Sequence, residues 1–283
     1  MAAHADGVLS NAYLTHALCK HGQRRTVAAC RCGVLHSAKR AKMYGLCATD
    51  ACPLCGQPDG GSHIASGCQH NTMTRLYTER HNKAGRMVLS CISKGSMGGA
   101  LVSADVGRKE KRLEDGVPLT ETNHVPEWLL PPPRRATRTQ KKEHRQALRL
   151  LKPDILLVTG DRTPQAAANS QVYIVEIKTC IDTRHEAQLA AARDQHTNLI
   201  QRLVGQGYAM NHIHTIPILV GVSGTIYTQH TLQALERLGV PADNARTKCQ
   251  KLHLEMTKRL HDIVVQRRML EPKTSDKKPP RPP

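Results

Sequence analysis

Residues 172–180 read VYIVEIKTC, and this stretch decides the predicted fold. Its β-branched and aromatic residues, with no Gly or Pro among them, predict a β-strand. Because side chains alternate along a strand, we expect Val175 and Ile177 to face a core and Glu176 and Lys178 to share the opposite face. Charged side chains avoid burial unless they are paired or bind a metal. The two charges therefore indicate a functional site on this strand.

A second predicted strand, Asp154–Thr159 (DILLVT), follows Pro153. If the two strands are neighbours in one sheet, Asp154 lies beside Glu176, and paired carboxylates bind Mg²⁺ or Mn²⁺ through oxygen. Such a metal polarises a phosphate and lowers the pKa of a bound water. Lys178 could then stabilise charge that develops on the phosphate. The alternative is an exposed Glu–Lys pair on an edge strand, which would contribute little to stability.

A metal-binding loop is predicted at residues 51–70, ACPLCGQPDGGSHIASGCQH. Two cysteines separated by two residues can hold one ion, and a His and a Cys after a Gly-containing loop can complete the tetrahedron of a structural Zn²⁺. We expect His70 as an alternative fourth ligand, and Cys47 as a less favoured one. Such a closed site would fold a segment too small to bury its own core. The predicted zinc ligands are Cys52, Cys55, His63 and Cys68.

The composition of the 283-residue chain favours a polyanionic partner. Its 41 Lys and Arg residues outnumber 23 Asp and Glu residues, giving a net charge of +18, which is typical of nucleic-acid binding. With no Phe, one Trp and six Tyr, stacking on single strands is less favoured than phosphate contacts to a duplex. We expect no signal peptide and, because no apolar run approaches about 18 residues, no membrane association. The cysteines are therefore interpreted as metal ligands or free thiols.

Basic residues also cluster locally. Residues 134–149 hold seven Lys or Arg residues and a single acid, Glu143, and are predicted to form a basic helix. The seven cannot share one helical face, so we expect several to bind phosphates and the others to be solvated. Glu143 is a candidate for an additional acid of the site, or simply offsets the basic block. The proposed nucleic-acid contacts in this block are Arg134, Arg135, Arg138, Lys141, Lys142 and Arg145.

The order of motifs along residues 30–268 resembles the C-terminal region of site-specific non-LTR retrotransposons, whose endonuclease is restriction-like. In that family a Cys-Cys-His-Cys knuckle precedes a PD-(D/E)xK nuclease. The motifs that carry the resemblance are CPLC (52–55), HIASGC (63–68), TERHN (78–82), PEWLLP (126–131), KPDILLV (152–158), VEIKTCIDT (175–183), DQH (194–196) and IPILVGVSGTIY (216–227).

The resemblance implies a Mg²⁺-dependent endonuclease that nicks double-stranded target DNA, with element RNA as a second partner and a nuclear location. By position, Asp154 and Glu176 would hold the metal and Lys178 would assist catalysis. Arg80 and His81 match the family's Arg-His element after the knuckle and would contact nucleic acid. The chain departs from the family in that no Ala-Asp-Asp or similar polymerase motif is present.

The implied fold is α/β: a PD-(D/E)xK restriction-endonuclease-like core with a central mixed sheet flanked by helices, preceded by a small Cys-Cys-His-Cys zinc-knuckle subdomain. We expect one continuous helix at 183–204 and a further strand at 216–222. Four residues are candidates to contact the metal-binding side chains from outside: Asp182, Thr183, Gln195 and His196. The predicted segments are a basic helical segment (1–46), the zinc knuckle with the following helix (47–92), a linker (93–133), the nuclease core (134–240), a C-terminal helix (241–270) and a disordered basic tail (271–283).

Two other functions stay open from the sequence alone. The first is a non-catalytic, zinc-containing nucleic-acid-binding module, a decayed or co-opted copy that uses the same basic surface. The second is a cellular repair or junction-resolving nuclease of the same superfamily. Loss of Asp154, Glu176 or Lys178 would have favoured the binding module, and all three are present. The sequence predicts neither the target sequence nor the oligomeric state.

Overall fold

A four-stranded mixed sheet with helices on both faces forms the centre of the protein. The computed structural model describes residues 4–106, 120, 122–160, 167 and 169–272. The strands are Leu101–Ala104 (β1), Ile155–Thr159 (β2), Gln171–Cys180 (β3) and Ile213–Gly221 (β4), in the spatial order β1-β2-β3-β4. Residues 273–283 of the predicted disordered tail and residues 107–119 and 121 of the predicted linker lie outside the described residues.

Nine α-helices surround the sheet in the part of the chain that is described. They are Gly7–Ser10 (α1), His21–Arg31 (α2), Ala38–Met43 (α3), Asn71–Ile92 (α4), Arg138–Leu150 (α5), His185–Asp194 (α6), Thr197–Gly205 (α7), Gln233–Arg237 (α8) and Ala242–Leu270 (α9). In the described residues, no helix is both long enough and apolar enough to cross a membrane.

The register of the sheet brings the two predicted strands side by side. β2 and β3 pair antiparallel, with Ile155 opposite Val175, and β3 pairs parallel with β4. One step beyond Ile155, the same register sets Asp154 opposite Glu176. Pro217 has no N–H to donate, and it lies in an edge strand, where proline is tolerated. The predicted adjacency of the two strands is confirmed.

Both faces of β3 are covered by apolar residues. Val175 and Ile177 are fully buried in a cluster with residues of α4, α8 and α9. Val172 and Ile174, which share the face of Glu176, are buried against α7 and the segment 125–130. Strands that are covered on both faces have almost continuous apolar sequences. This explains why β3 carries so few polar residues apart from the predicted site residues Glu176 and Lys178.

The structure corrects two of the predicted elements. The helix expected at 183–204 is interrupted, since α6 ends at Asp194 and α7 begins at Thr197. The predicted linker (93–133) contains β1, an edge strand of only four residues. β1 was missed because so short a strand has little periodicity of its own, and its pairing with β2 is long-range.

α9 joins the N-terminal segment, the zinc knuckle and the sheet layer. Leu252, Met256, Leu260 and Ile263 are all buried, as their helical spacing predicts. His253 is also fully buried: its Nδ1 donates to the carbonyl of Gly224 (2.6 Å) and its Nε2 accepts from the backbone N–H of Tyr13 (3.0 Å). This histidine therefore links three segments that are far apart in the sequence.

The burial of His253 predicts that acid destabilises the fold. Desolvation lowers its pKa to about 4, from 6.5 for the exposed residue. The unfolded chain therefore binds a proton more readily than the folded chain between pH 6.5 and 4, and stability falls as the pH drops through this window. We expect His253 to account for a loss of about 3 kcal/mol between pH 7 and pH 4. Urea unfolding of the wild type and of His253→Gln at both pH values measures this, and an equal pH dependence in the two proteins would contradict it.

Candidate functional site

Asp154 lies immediately before β2, and both of its carboxylate oxygens accept hydrogen bonds. Oδ2 accepts from the backbone N–H of Ile177 in β3 (2.7 Å), and Oδ1 is 3.1 Å from Nε2 of His81 in α4. The side chain of Asp154 is 11% exposed. The bond from Ile177 ties the carboxylate directly to the strand that carries Glu176, so the rigid sheet sets the position of the acid.

Glu176 and Lys178 share one face of β3, as predicted, and they contact each other. Lys178 Nζ donates to Glu176 Oε1 (2.6 Å), and Glu176 Oε2 is 2.8 Å from Nε2 of His196. The side chain of Glu176 is only 3% exposed and that of Lys178 is 22% exposed. A buried carboxylate needs such partners, because removing its hydration is costly.

The interruption between α6 and α7 directs two polar side chains into this cluster. Gln195 accepts a hydrogen bond from Lys178 Nζ through Oε1, and the next residue, His196, contacts Glu176. A continuous helix would turn adjacent residues about 100° apart. Because the helix is interrupted, the consecutive residues Gln195 and His196 contact Lys178 and Glu176 of β3. Of the residues considered for outer positions, the structure thus brings Gln195 and His196 to the cluster, whereas Asp182 binds Thr225 and Tyr227 at the end of β3.

His81 belongs to the same cluster. Burial by itself lowers the pKa of His81, but the hydrogen bond to Asp154 and the charges of Asp154 and Glu176 outweigh this effect, and its pKa is raised. The sequence associated His81 with nucleic acid through the family's Arg-His element. The structure places its imidazole on a predicted metal-binding carboxylate, a contact between residues 73 positions apart that no local pattern could reveal.

The environment of Glu176 favours its ionised form. Burial raises the pKa of a carboxyl group, but here the hydrogen bonds from His196 and Lys178 and the charge of Lys178 outweigh it, so the pKa of Glu176 is lowered. Each oxygen of Asp154 and Glu176 accepts one hydrogen bond and retains a further lone pair. Carboxylate oxygens with free lone pairs are the hard donors that Mg²⁺ prefers.

The prediction that Arg80 contacts nucleic acid is wrong. Arg80 is only 1% exposed, and its Nη1 donates to the carbonyl of Ala65 (2.8 Å) while its guanidinium lies over the ring of Tyr77. Burial lowers its pKa to about 10, so the group stays charged at neutral pH. Arg80 and Tyr77, whose hydroxyl donates to the carbonyl of Ile64 (2.9 Å), attach α4 to the loop that holds the cysteine and histidine ligands.

A second cluster consists of the four predicted zinc ligands. One ligand atom each from Cys52, Cys55, His63 and Cys68 lies within 4.8 Å of the other three. The sulfurs of Cys52 and Cys68 are 3.9 Å apart, and Cys55 Sγ is 3.4 Å from His63 Nε2. Ligands bonded to one tetrahedral Zn²⁺ at ordinary distances lie about 3.6–3.8 Å apart. The cluster could therefore hold a zinc ion, closed by four protein ligands.

The alternative ligands do not join this cluster. Cys47 donates to the carbonyl of Thr49 (3.0 Å), and His70 precedes α4 as its N-cap residue. Cys30 and Cys32 are free thiols at the end of α2. Among groups of three or more His, Cys, Asp and Glu residues in the described part of the chain, only the set with His63 has its ligand atoms close enough together for one metal ion.

The zinc loop is anchored to the end of α9 by a buried ion pair. Arg267 Nη2 is 2.8 Å from Oδ2 of Asp59, a residue with no exposed surface, and 3.8 Å from the sulfur of Cys52. The same carboxylate oxygen accepts from the backbone N–H of Ala38 at the start of α3 (2.6 Å). If the cluster holds Zn²⁺ through three thiolates, the guanidinium beside Cys52 would also offset their excess negative charge.

Removal of this arginine is expected to destabilise the fold strongly. Arg267→Met leaves the carboxylate of Asp59 buried without its countercharge, which typically costs about 3–5 kcal/mol. The neighbouring residue provides a matched control: Arg268 is exposed, and Arg268→Met should change the free energy of unfolding by about 0.5 kcal/mol or less. Urea denaturation of both variants measures the difference, and two equal free energies of unfolding would refute the role of Arg267.

The predicted basic helix is α5, which begins at Arg138. Thr137 caps it, because its hydroxyl accepts from the N–H of Gln140 and the Gln140 side chain accepts from the N–H of Thr137. Glu143 is solvent-exposed on this helix, and Arg145 pairs with Glu127 (2.9 Å). The proposed contacts that are exposed to solvent are Arg134, Arg135, Arg138, Lys141, Lys142 and Arg145.

No protein-family model matches the chain, and no curated protein matches it.

Proposed function

We propose that this protein is a metal-dependent DNA endonuclease with a PD-(D/E)xK core. The observation that carries the proposal is the register of β2 and β3, which sets Asp154 opposite Glu176 with Lys178 on the same strand face. The resemblance to the restriction-like endonuclease of non-LTR retrotransposons supports it, as does the order of the zinc loop and the sheet along the chain. The proposed activity is nicking of target DNA in the nucleus.

The residues of the cluster have different proposed roles in phosphodiester hydrolysis. Asp154 and Glu176 would hold Mg²⁺ or Mn²⁺, which when bound polarises the scissile phosphate and makes a bound water more acidic. Lys178 donates hydrogen bonds to the charge that develops on the phosphate. Glu176 and Gln195 hold its ammonium group beside the metal ligand. His196 and His81 fix the orientation of the two carboxylates, as outer hydrogen bonds commonly do for metal ligands.

A basic surface next to these residues suits DNA as the substrate. α5 ends at Leu150, and only Leu151, Lys152 and Pro153 separate it from Asp154. The C-terminal end of this basic helix, with the exposed Arg149, is therefore held close to Asp154. Cations in this position could bind the phosphates on either side of the scissile bond and set the register of the duplex without reading its sequence.

Nicking of supercoiled plasmid in the presence and absence of Mg²⁺ tests the proposal. We expect open circles to accumulate only when Mg²⁺ or Mn²⁺ is supplied. The metal should be omitted rather than chelated, because a chelator would also remove zinc and unfold the knuckle. Plasmid that stays supercoiled while bound to the protein, with either metal, would overturn the proposal.

One observation favours the second candidate function, a non-catalytic nucleic-acid-binding module. Without a metal, each carboxylate oxygen of Asp154 and Glu176 already has a hydrogen-bond partner, so the cluster is satisfied as a purely structural network. The two functions differ in the outcome of one pair of variants. Asp154→Asn should abolish nicking and leave DNA binding intact if the cluster is catalytic, and Glu186→Gln, which changes an exposed acid in α6, should alter neither.

A further inference from the structure

The surface around α3 combines an exposed aromatic ring with apolar and basic side chains. All six tyrosines lie in the described part of the chain; Tyr44 is 64% exposed, whereas the other five and Trp128 are buried or half-buried. Large exposed apolar patches commonly mark interaction sites. We call this the Tyr44 surface, and it consists of Lys39, Arg40, Met43, Tyr44 and Leu46.

The chain segment that carries Tyr44 is basic, and Asp50, which pairs with Lys42 (3.2 Å), is the acid next to it. Residues 31–46 contain four Lys or Arg residues and no Asp or Glu. Arg40 donates from Nη2 to the hydroxyl of Tyr44 (2.7 Å), and its guanidinium lies 5.4 Å from the ring centre. Met43 and Leu46 are 72% and 74% exposed. An exposed ring flanked by cations and apolar side chains is the chemistry that binds unpaired nucleotides, whose bases stack while their phosphates are neutralised.

The Tyr44 surface is held in place by the zinc loop. The first turn of α3 is fixed because the carboxylate of Asp59 accepts from the N–H of Ala38 (2.6 Å) and the hydroxyl of Ser37 accepts from the N–H of Arg40. Ser37 and Asp59 are buried, and Asp59 also binds Arg267. A ring supported in this way loses little conformational freedom when a base stacks on it, which favours binding.

A cleft connects the Tyr44 surface with the strand that carries the predicted active site. Its volume is about 540 Å³, and Lys39, Arg40 and Met43 line one side of it. Asp182 and Thr183, just beyond β3, line the other side. Asp182 follows Lys178 by four positions, which span at most about 14 Å. The cleft is thus within reach of a nucleic-acid strand that passes the predicted active site.

We propose that the Tyr44 surface binds an unpaired DNA strand, with a base stacked on Tyr44 and phosphates on Lys39 and Arg40. This activity is separate from cleavage, and it does not depend on a metal at Asp154 and Glu176. It also modifies the expectation from composition, because a chain poor in aromatic residues needs only one exposed ring to hold a base.

Fluorescence anisotropy of a labelled oligo(dT) strand and of a labelled hairpin duplex, with no divalent metal added, tests this proposal. Tyr44→Leu should weaken single-strand binding about tenfold, since each stacked base contributes about 1–3 kcal/mol. Duplex binding should change less than about twofold. Tyr44→Phe keeps the ring and should bind both as the wild type does. Lys39→Ala should weaken single-strand binding more than Lys258→Ala, a matched loss of charge on α9.

Cross-linking supplies a second readout that does not depend on affinity. Irradiation with a strand that contains 5-iodouracil should attach the base to the peptide that contains Tyr44. Wild-type affinity of Tyr44→Leu for oligo(dT), an equal loss of single-strand and duplex binding, or binding of an oligo(rU) strand alone would each overturn the proposal. Binding through Tyr44 by a protein that never cuts DNA would support this inference and overturn only the nuclease function.

Discussion

Lys178→Ala is expected to reduce plasmid nicking by at least about a hundredfold. Removing one group that stabilises charge in a transition state typically costs a factor of 10²–10³ in rate. The effect should fall on the rate of the bound complex, because Lys178 is only 22% exposed and its ammonium is held between Glu176 and Gln195. Single-turnover nicking rates, measured with the protein in excess over plasmid, give this rate directly.

Two controls separate catalysis by Lys178 from a general loss of charge or of fold. Lys258→Ala removes an exposed lysine that pairs with Asp262 on α9, and it should nick at the wild-type rate. Gel-shift measurements of both variants should give the wild-type affinity for plasmid. A Lys178→Ala protein that binds and nicks as the wild type does would show that this lysine takes no part in catalysis.

Loss of a zinc ligand is expected to have the largest effect on stability. The apolar cluster around the knuckle contains few buried residues: Cys52, Cys68, Met73 and Ile263. Because this cluster is small, we expect the segment to depend on the proposed zinc ion, and structural zinc typically contributes about 10–16 kcal/mol in isolated fingers. If Cys52→Ala loses even several kcal/mol of this, the melting temperature should fall by about 10 °C or more.

The matched control for Cys52→Ala is Cys32→Ala, which removes an exposed thiol outside the ligand group. Metal analysis of the purified proteins should find one zinc ion per chain in the wild type and in Cys32→Ala, and none held stably by Cys52→Ala. Equal zinc content and equal melting temperatures in the two variants would show that the cluster is not a zinc site.

The central sheet and the zinc loop could be predicted because their signals are local. The alternation of VYIVEIKTC predicted that Glu176 and Lys178 share one face of β3 and that Val175 and Ile177 are buried on the other, although it did not predict that Val172 and Ile174 are buried as well. The spacing of Cys52, Cys55, His63 and Cys68 predicted the set that converges in the structure. Both patterns are set by backbone geometry over a few residues. The adjacency of Asp154 and Glu176 needed only the further assumption that consecutive strands pair.

Gln195 and His196 were expected near the site, but the particular contacts of the outer residues could not be predicted in the same way. His81 reaches Asp154 from a helix, and His196 reaches Glu176 because a helix is interrupted at Gln195. Both contacts depend on how α4 and α7 pack on the sheet, and helical periodicity does not encode this. Arg80 shows the same limit, because the Arg-His element of the resembling family assigned it to nucleic acid, yet packing against the cysteine and histidine loop buries it.

The most direct test of the proposed active site compares wild type and Glu176→Gln in single-turnover nicking at equal occupancy of the plasmid with Mg²⁺ present. Glutamine keeps the size of the side chain and removes the charge that would hold the metal. We predict that wild type converts the bound plasmid to open circles and that Glu176→Gln leaves it supercoiled. Equal nicking by the two proteins, or no nicking by either, would contradict the assignment of Asp154, Glu176 and Lys178 as a metal-dependent nuclease site.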